Sequence, residues 1–255
     1  MNAVFDLSII GTALLAGLLV VATHVPLGRE VLARGIIFID LAVAQVAGLG
    51  VLAAHYFVGE PTFASVQLAA LAAALLAAVL LHYSERRWPE IQEALIGALF
   101  VVAASASVLL LAGNPHASEH LQELLVGQIL WVSPDALLAA GAVYALVLAL
   151  WFGGRARGSA AGFYLLFALS VTVSVQLVGV YLVFATLILP ALAARRHTGR
   201  SALWRGYAIG AVGYAAGTVL SALYDLPTGP LIVGALALAA AAFAGLGIRN
   251  ARTRE

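Results

Sequence analysis

The chemistry open to this chain rests on a short inventory: six histidines, twelve carboxylates and thirteen cationic side chains in 255 residues, with no cysteine. The absence of cysteine excludes disulfides, thiolate metal sites, iron–sulfur clusters and cysteine nucleophiles. Every cationic residue is arginine. Without lysine, neither a G-x-x-x-x-G-K-[ST] nucleotide loop nor a Schiff base can form. If ATP drives this protein, another chain must bind it. Imidazole is then the main nitrogen ligand for a transition metal. His116 and His120 stand four apart, flanked by Glu119 and Glu123. On a helix, His116, His120 and Glu123 share a face and offer nitrogen and oxygen ligands for metal capture. The alternative is a solvated polar loop. His24, His55 and His82 lie near the ends of apolar runs and read as interfacial anchors. His197 sits among arginines, where a bound cation is repelled. No Ser-His-Asp order, HExxH motif or paired-carboxylate arrangement stands out. Neither an enzyme, a permanently bound cofactor nor a nucleic-acid partner is expected.

A second set of polar residues lies within apolar sequence, where ionisable groups are costly and functional by default. Asp40 follows Arg34 by six residues. It reads either as a carboxylate paired with an arginine near the interface or as part of a transport path. Gln45 lies deeper. Five residues separate the two, so they project about 140° apart on a helix and form no i,i+4 pair. Ser170, Thr172, Ser174 and Gln176 form two i,i+4 pairs on different faces, a pattern that commonly bonds helices together.

The elements that must hold these groups are membrane helices. Hydrophobic residues make up 63% of the chain, charged residues 10%, and mean hydropathy is +1.03. A soluble globule of this composition would expose too much apolar surface. Apolar runs fall near 7–27, 35–57, 63–82, 94–112, 135–153, 160–176, 178–194, 206–223 and 229–248. Spanning helices use about 20 residues each. The runs leave no room for a separate soluble domain, so a single transmembrane domain over 1–255 is expected. The N-terminus lacks a basic n-region and a nearby cleavage site, and the first run is expected to be a retained helix.

The stretch from Ala160 to Ala194 is continuous, and hydropathy leaves open one element or two helices meeting near Val178-Gly179, hence eight or nine crossings. Charge separates the cases. The arginines cluster at 29 and 34; 86 and 87; 155 and 157; 195, 196, 200 and 205; and 249, 252 and 254. With nine helices all five clusters share one side, and the positive-inside rule favours that count. The N-terminus is then outside and the C-terminus inside. The outer connections carry Asp6, Glu60, Glu119, Glu123, Asp135 and Asp225. The longest of them, 113–135, has a helical apolar pattern at Leu121, Leu124, Leu125 and Ile129. This predicts a short amphipathic helix with Trp131 as an interfacial anchor. Ala, Gly and Ser inside the runs suit close helix packing.

Three segments resemble the membrane subunits of zinc/manganese/iron ABC importers, the ABC-3 permease family. They are Pro26-Leu27-Gly28 with Arg34 and the second run; Gly179-Val180-Tyr181-Leu182-Val183-Phe184 through Leu189-Pro190-Ala191 to Arg195; and Tyr224-Asp225-Leu226-Pro227-Thr228-Gly229-Pro230. The resemblance implies a type II-like importer permease in the inner (plasma) membrane. It also implies a dimer, a cytoplasmic ATP-binding subunit, and a periplasmic or lipid-anchored metal-binding protein. Family members usually carry Asp-x-x-x-His in the second helix. Aligned from Pro26, those positions are Leu41 and Gln45, with Asp40 one place early. Asp225 matches a family acidic position near the outer end of the path. The family also places about twenty residues, including an ATPase-docking helix, between helices 5 and 6. Here that connection is Gly153 to Ser159, too short for a two-turn helix with linkers. The 194–205 loop, with Arg195, Arg196 and Arg200, is the alternative docking surface.

These readings converge on an all-α permease for a divalent metal, zinc or manganese. Asp40, Gln45 and Asp225 form its path, and Asp225, Asp40, His116 and His120 are its metal ligands. Pro190 is expected to end the seventh helix near the arginines. Two other readings remain: an ATP-independent transporter of the same superfamily, and a non-transporting scaffold or sensor that receives a metal-binding protein.

Overall fold

The structure, a computed structural model, describes residues 7–58, 61–111, 125–154 and 158–252. Among these it is all helical: α1 (Leu7–Arg34), α2 (Ile39–Val58), α3 (Phe63–Arg87), α4 (Gln92–Leu110), α5 (Pro134–Phe152), α6 (Ala160–Val178), α7 (Val180–Ala193), α8 (Gly199–Tyr224) and α9 (Thr228–Arg252). Single 3₁₀ turns lie at Pro89–Ile91 and Ile129–Trp131. Seven helices are long and apolar enough to cross a bilayer, and Val180–Ala193 and Thr228–Ala244 are shorter apolar segments. The protein is a multi-pass membrane protein. The continuous apolar stretch does divide, and the break is at Gly179.

The chain forms two compact units. The first comprises residues 1–34, 126–141 and 177–255; the second comprises 35–125 and 142–176. In the first, α7 is the central helix. Its 14 residues rise about 21 Å, less than the hydrocarbon thickness of about 30 Å. Most of its side chains are nevertheless buried, among them Val180, Leu182, Val183, Thr186 and Leu187. It packs against α1 and α9, so protein rather than lipid sets its length.

α8 fits between α1 and α9 through two G-x-x-x-G steps on different faces. A Cβ built on Gly206 or Gly210 would lie 2.6 Å from Val25 or Val21 of α1. A Cβ on Gly213 or Gly217 would lie 2.4 Å from Leu236 or Ile232 of α9. Without a hydrophobic driving force between helices in lipid, such close approach supplies the van der Waals contact that holds them.

α1 runs past Pro26 to Arg34, farther than the 7–27 run, and α2 starts at Ile39 rather than at 35. Proline removes the backbone donor to the carbonyl four residues earlier. That carbonyl, Ala22, accepts from the Tyr207 hydroxyl at 3.3 Å instead. The helix survives its proline because a neighbour replaces the lost donor. In α7, Pro190 lies in the last turn and the helix stops three residues on, close to expectation.

In the second unit α2, α3 and α4 pack together. Side-chain bonds tie α6 to its neighbours. Ser174 and Tyr144 share a 2.6 Å bond, Gln67 donates to Gln176, and Gln92 donates to Tyr164 at 3.4 Å. Thr172 instead donates to Ala168 O within α6. Two of the four polar side chains in α6, Ser174 and Gln176, thus bond it to neighbouring helices.

Candidate functional site

Asp40 occupies the first turn of α2 and is 1% exposed. Neither carboxylate oxygen has a hydrogen-bond partner among the described residues. The reading in which Asp40 simply pairs with an arginine fails on this geometry. Arg34, the nearest arginine in sequence, donates from Nε to Glu30 at 3.0 Å. Asp40 instead faces the N-terminal backbone amides of α2, its own and Leu41's among them, whose field suits a carboxylate. Gln45 is also buried, at 8% exposure. The two project from α2 about 140° apart. Both are covered because α2 is buried around much of its circumference, at Ile39, Ala42, Val43, Ala44 and Ala47. Each offers a desolvated oxygen to a cation, but at about 140° apart on one helix they do not converge on a single ion.

Asp225 belongs to the first unit and is exposed at the turn between α8 and α9. It has left-handed backbone angles, φ 52° and ψ 45°, and its N–H closes α8 on Ser221 O. Aspartate is among the few residues that enter this region readily. The turn is held by a small network: Ser221 Oγ donates to Leu226 O at 2.7 Å and lies 2.6 Å from Thr228 Oγ1. Asp225 lines an open cavity of about 370 Å³ with Gln128, Ile129, Trp131, Pro227 and Thr228.

Gly127 and Gly229 line this cavity, and Gly179 packs against Gly127. A Cβ on Gly127 would lie 2.3 Å from Val178 C, and a Cβ on Gly179 would lie 2.4 Å from Gly127 N. A Cβ on Gly229 would lie 2.7 Å from Val126 O. Residues 126–127 are therefore wedged, backbone to backbone, between the α6–α7 junction and the start of α9. Sequence reading missed this contact; the visible signal was a glycine in each of three chain reversals.

The two ends of α8, separated by about 39 Å, carry opposite charge. Asp225 is at its C-terminal end. At its N-terminal end Arg29 donates to Gly199 O at 3.2 Å, beside Arg195, Arg196 and Arg200.

His116 and His120 lie outside the described residues, as do Glu60, Glu119, Glu123, Arg155 and Arg157. Trp131 is 76% exposed, whereas Ile129 is buried. His24 departs from expectation. It lies well inside α1, fully buried, with Nδ1 on Val20 O at 3.0 Å and Nε2 unpartnered among the described residues. It is not an interfacial anchor, because α1 extends ten residues beyond it. Among the described residues, no group of three or more His, Asp or Glu side chains is placed to hold a metal ion.

A model of the ABC 3 transport family matches residues 6–155 and 155–245. The chain belongs to the ABC 3 transport family. It is a membrane permease subunit and not an enzyme. The two matched segments meet at Arg155, within the short connection between α5 and α6. In fold, this ABC 3 permease is similar to PsaBC from Streptococcus pneumoniae in complex with Fab. Identity is 22% over 95% of this chain and 91% of that one, with a TM-score of 0.73. It is also similar to a structure described as an inward-facing conformation of a metal-chelate type ABC transporter. There identity is 16% over 94% and 85% of the two chains, with a TM-score of 0.69.

Proposed function

We propose that this permease moves a divalent metal ion, zinc or manganese, across the inner membrane as the transmembrane part of an ABC importer. The observation that carries the reading is Asp40, a buried carboxylate with both oxygens unpartnered in an apolar helix. Such a group is costly unless a cation visits it. Asp225 in its open cavity receives the ion, and Asp40 and Gln45 line the path. His116 and His120 assist capture. Family membership supports the same reading, as does the likeness to a transporter described as of metal-chelate type. The partners are a cytoplasmic ATP-binding subunit, a periplasmic or lipid-anchored metal-binding protein and a second permease subunit. The chain acts as one transmembrane domain over 1–255, with its N-terminus outside and its C-terminus cytoplasmic. Arg195, Arg196 and Arg200 border the surface that meets the ATPase.

Radiolabelled zinc and manganese uptake into proteoliposomes tests this. Asp40→Ala and Asp225→Ala should each abolish uptake, and undiminished uptake in both refutes the path. Orientation is read by single cysteines at Glu60 and at Arg200, since no native cysteine interferes. Labelling of the Glu60 variant only from inside reverses the topology.

A second reading has its own support. The α5–α6 connection of seven residues is where the two matched segments meet. It is shorter than a docking helix with linkers requires. In this reading the permease runs on an ion gradient without an ATPase. A stable ATPase on co-purification overturns it.

A further inference from the structure

We propose that the groove between α7 and α9 binds an anionic phospholipid, with its phosphate held by Arg195 and Arg196 and an acyl chain along α9. The inference rests on the multi-pass fold and not on the transported substrate.

An open cavity of about 330 Å³ lies between these helices, lined by Leu189, Leu192, Ala237, Ala240, Ala241 and, at one end, Arg195. The alanines recur at one face of α9, leaving a shallow trough where larger side chains would fill the gap. Leu192 on its wall is 42% exposed. A second cavity of about 70 Å³ adjoins the first and shares Leu192, Ala193, Arg195 and Ala244 with it. It adds Arg196, His197 and Phe243. His197 Nδ1 is buried without a hydrogen-bond partner among the described residues. The His197 ring lies tilted against Phe243, with centroids 5.9 Å apart, and Arg205 Cζ lies 6.0 Å from the Phe243 centroid. Cations thus gather at one end of an apolar trough, and among the described residues no carboxylate lines either cavity.

That amphipathic layout matches a lipid in a bilayer leaflet, with an apolar tail in the trough and an anionic head at the arginines. Basic pockets between transmembrane helices hold such headgroups. Arginine suits phosphate because its planar fork donates two parallel hydrogen bonds. A second copy of the chain fits less well. A two-fold contact across this face would set the same arginines against each other, and like charges at an interface are unfavourable.

The test uses the purified full-length permease without any ATPase, in detergent, by native mass spectrometry with added phosphatidylglycerol or phosphatidylcholine. Phosphatidylglycerol should be retained in preference, and Arg195→Gln and Arg196→Gln should each weaken retention about fivefold. Ala241→Leu fills the exposed trough without touching a charge and should also displace the lipid. Circular dichroism and gel filtration confirm that each variant is folded. Equal retention of the two lipids, or wild-type retention by Arg195→Gln/Arg196→Gln or by Ala241→Leu, overturns the proposal. So does an Ala241→Leu variant that converts a dimer to a monomer with lipid still bound.

Discussion

Gly179→Ala tests the wedge at the α6–α7 junction. Gly179 has φ 80° and ψ 162°, a region essentially confined to glycine. A methyl group there meets two costs. Backbone strain contributes about 1–3 kcal/mol. The new Cβ would also lie 2.4 Å from Gly127 N and 2.6 Å from Val126 C, backbone atoms with no flexible end to move aside. Overpacking of this kind adds roughly 1–3 kcal/mol. Two controls separate these costs. Gly154 has φ 79° with nothing within 4 Å of a built Cβ, so Gly154→Ala carries strain alone. Gly234 lies within α9 with open space around it, and alanine there should be neutral or stabilising by up to about 1 kcal/mol. The assay is thermal unfolding in detergent followed by tryptophan fluorescence, with Trp131 reporting beside the wedge. Gly179→Ala should melt lowest, by roughly 8–16 °C for a loss of about 4 kcal/mol. Gly154→Ala should fall between it and Gly234→Ala. Equal midpoints for Gly179→Ala and Gly154→Ala would falsify the backbone wedge.

Three further outcomes follow from the packing. Asp40→Asn replaces a buried carboxyl with a neutral amide, so it should raise the melting temperature while abolishing metal uptake. A lower melting temperature would mark Asp40 as structural. Tyr207→Phe should cost about 0.5–1.5 kcal/mol because Ala22 O loses its donor. In a Pro26→Ala background, where the helix amide returns, the same change should cost nearly nothing, and a double-mutant cycle with no coupling rejects the compensation. Gln67→Leu or Gln176→Leu alone strands an amide, at about 1–3 kcal/mol, whereas the double variant should recover most of that loss. Equal stability of the double and single variants in detergent melts would exclude the pairing.

The helix count was legible from charge where hydropathy was silent. Gly179 sits in an unbroken apolar run, and only the arginine clusters required a reversal there. The extension of α1 beyond Pro26 was not legible, because the donor that replaces the proline amide comes from Tyr207, 181 residues away. His24 was misplaced for the same reason: its distance from a helix end depended on where α1 stopped. Asp40 was recognisable as unusual from its apolar context, but only the fold separates a paired carboxylate from an orphan. The cavity at Asp225 needed residues 126–131 brought to residues 225–229, a contact with no local periodicity to announce it. The short connection after α5 was plain from length alone, and the family match divides within it.

The first unit is assembled from three separated pieces of chain, 1–34, 126–141 and 177–255. Chains emerge from the ribosome N-terminus first. α1 is therefore made before the other described helices, and the faces it shares with α7 and α8 come much later. Until then Gly17 lacks the Tyr214 ring that covers it, and Ala22 O lacks the Tyr207 hydroxyl. The second unit, 35–125 and 142–176, is complete before α7 is synthesised. During biogenesis α1 must wait in the bilayer or beside a chaperone-like insertion partner with His24 and its small-residue face uncovered. Between insertion of α1 and arrival of α8, the first unit lacks the contacts that complete it.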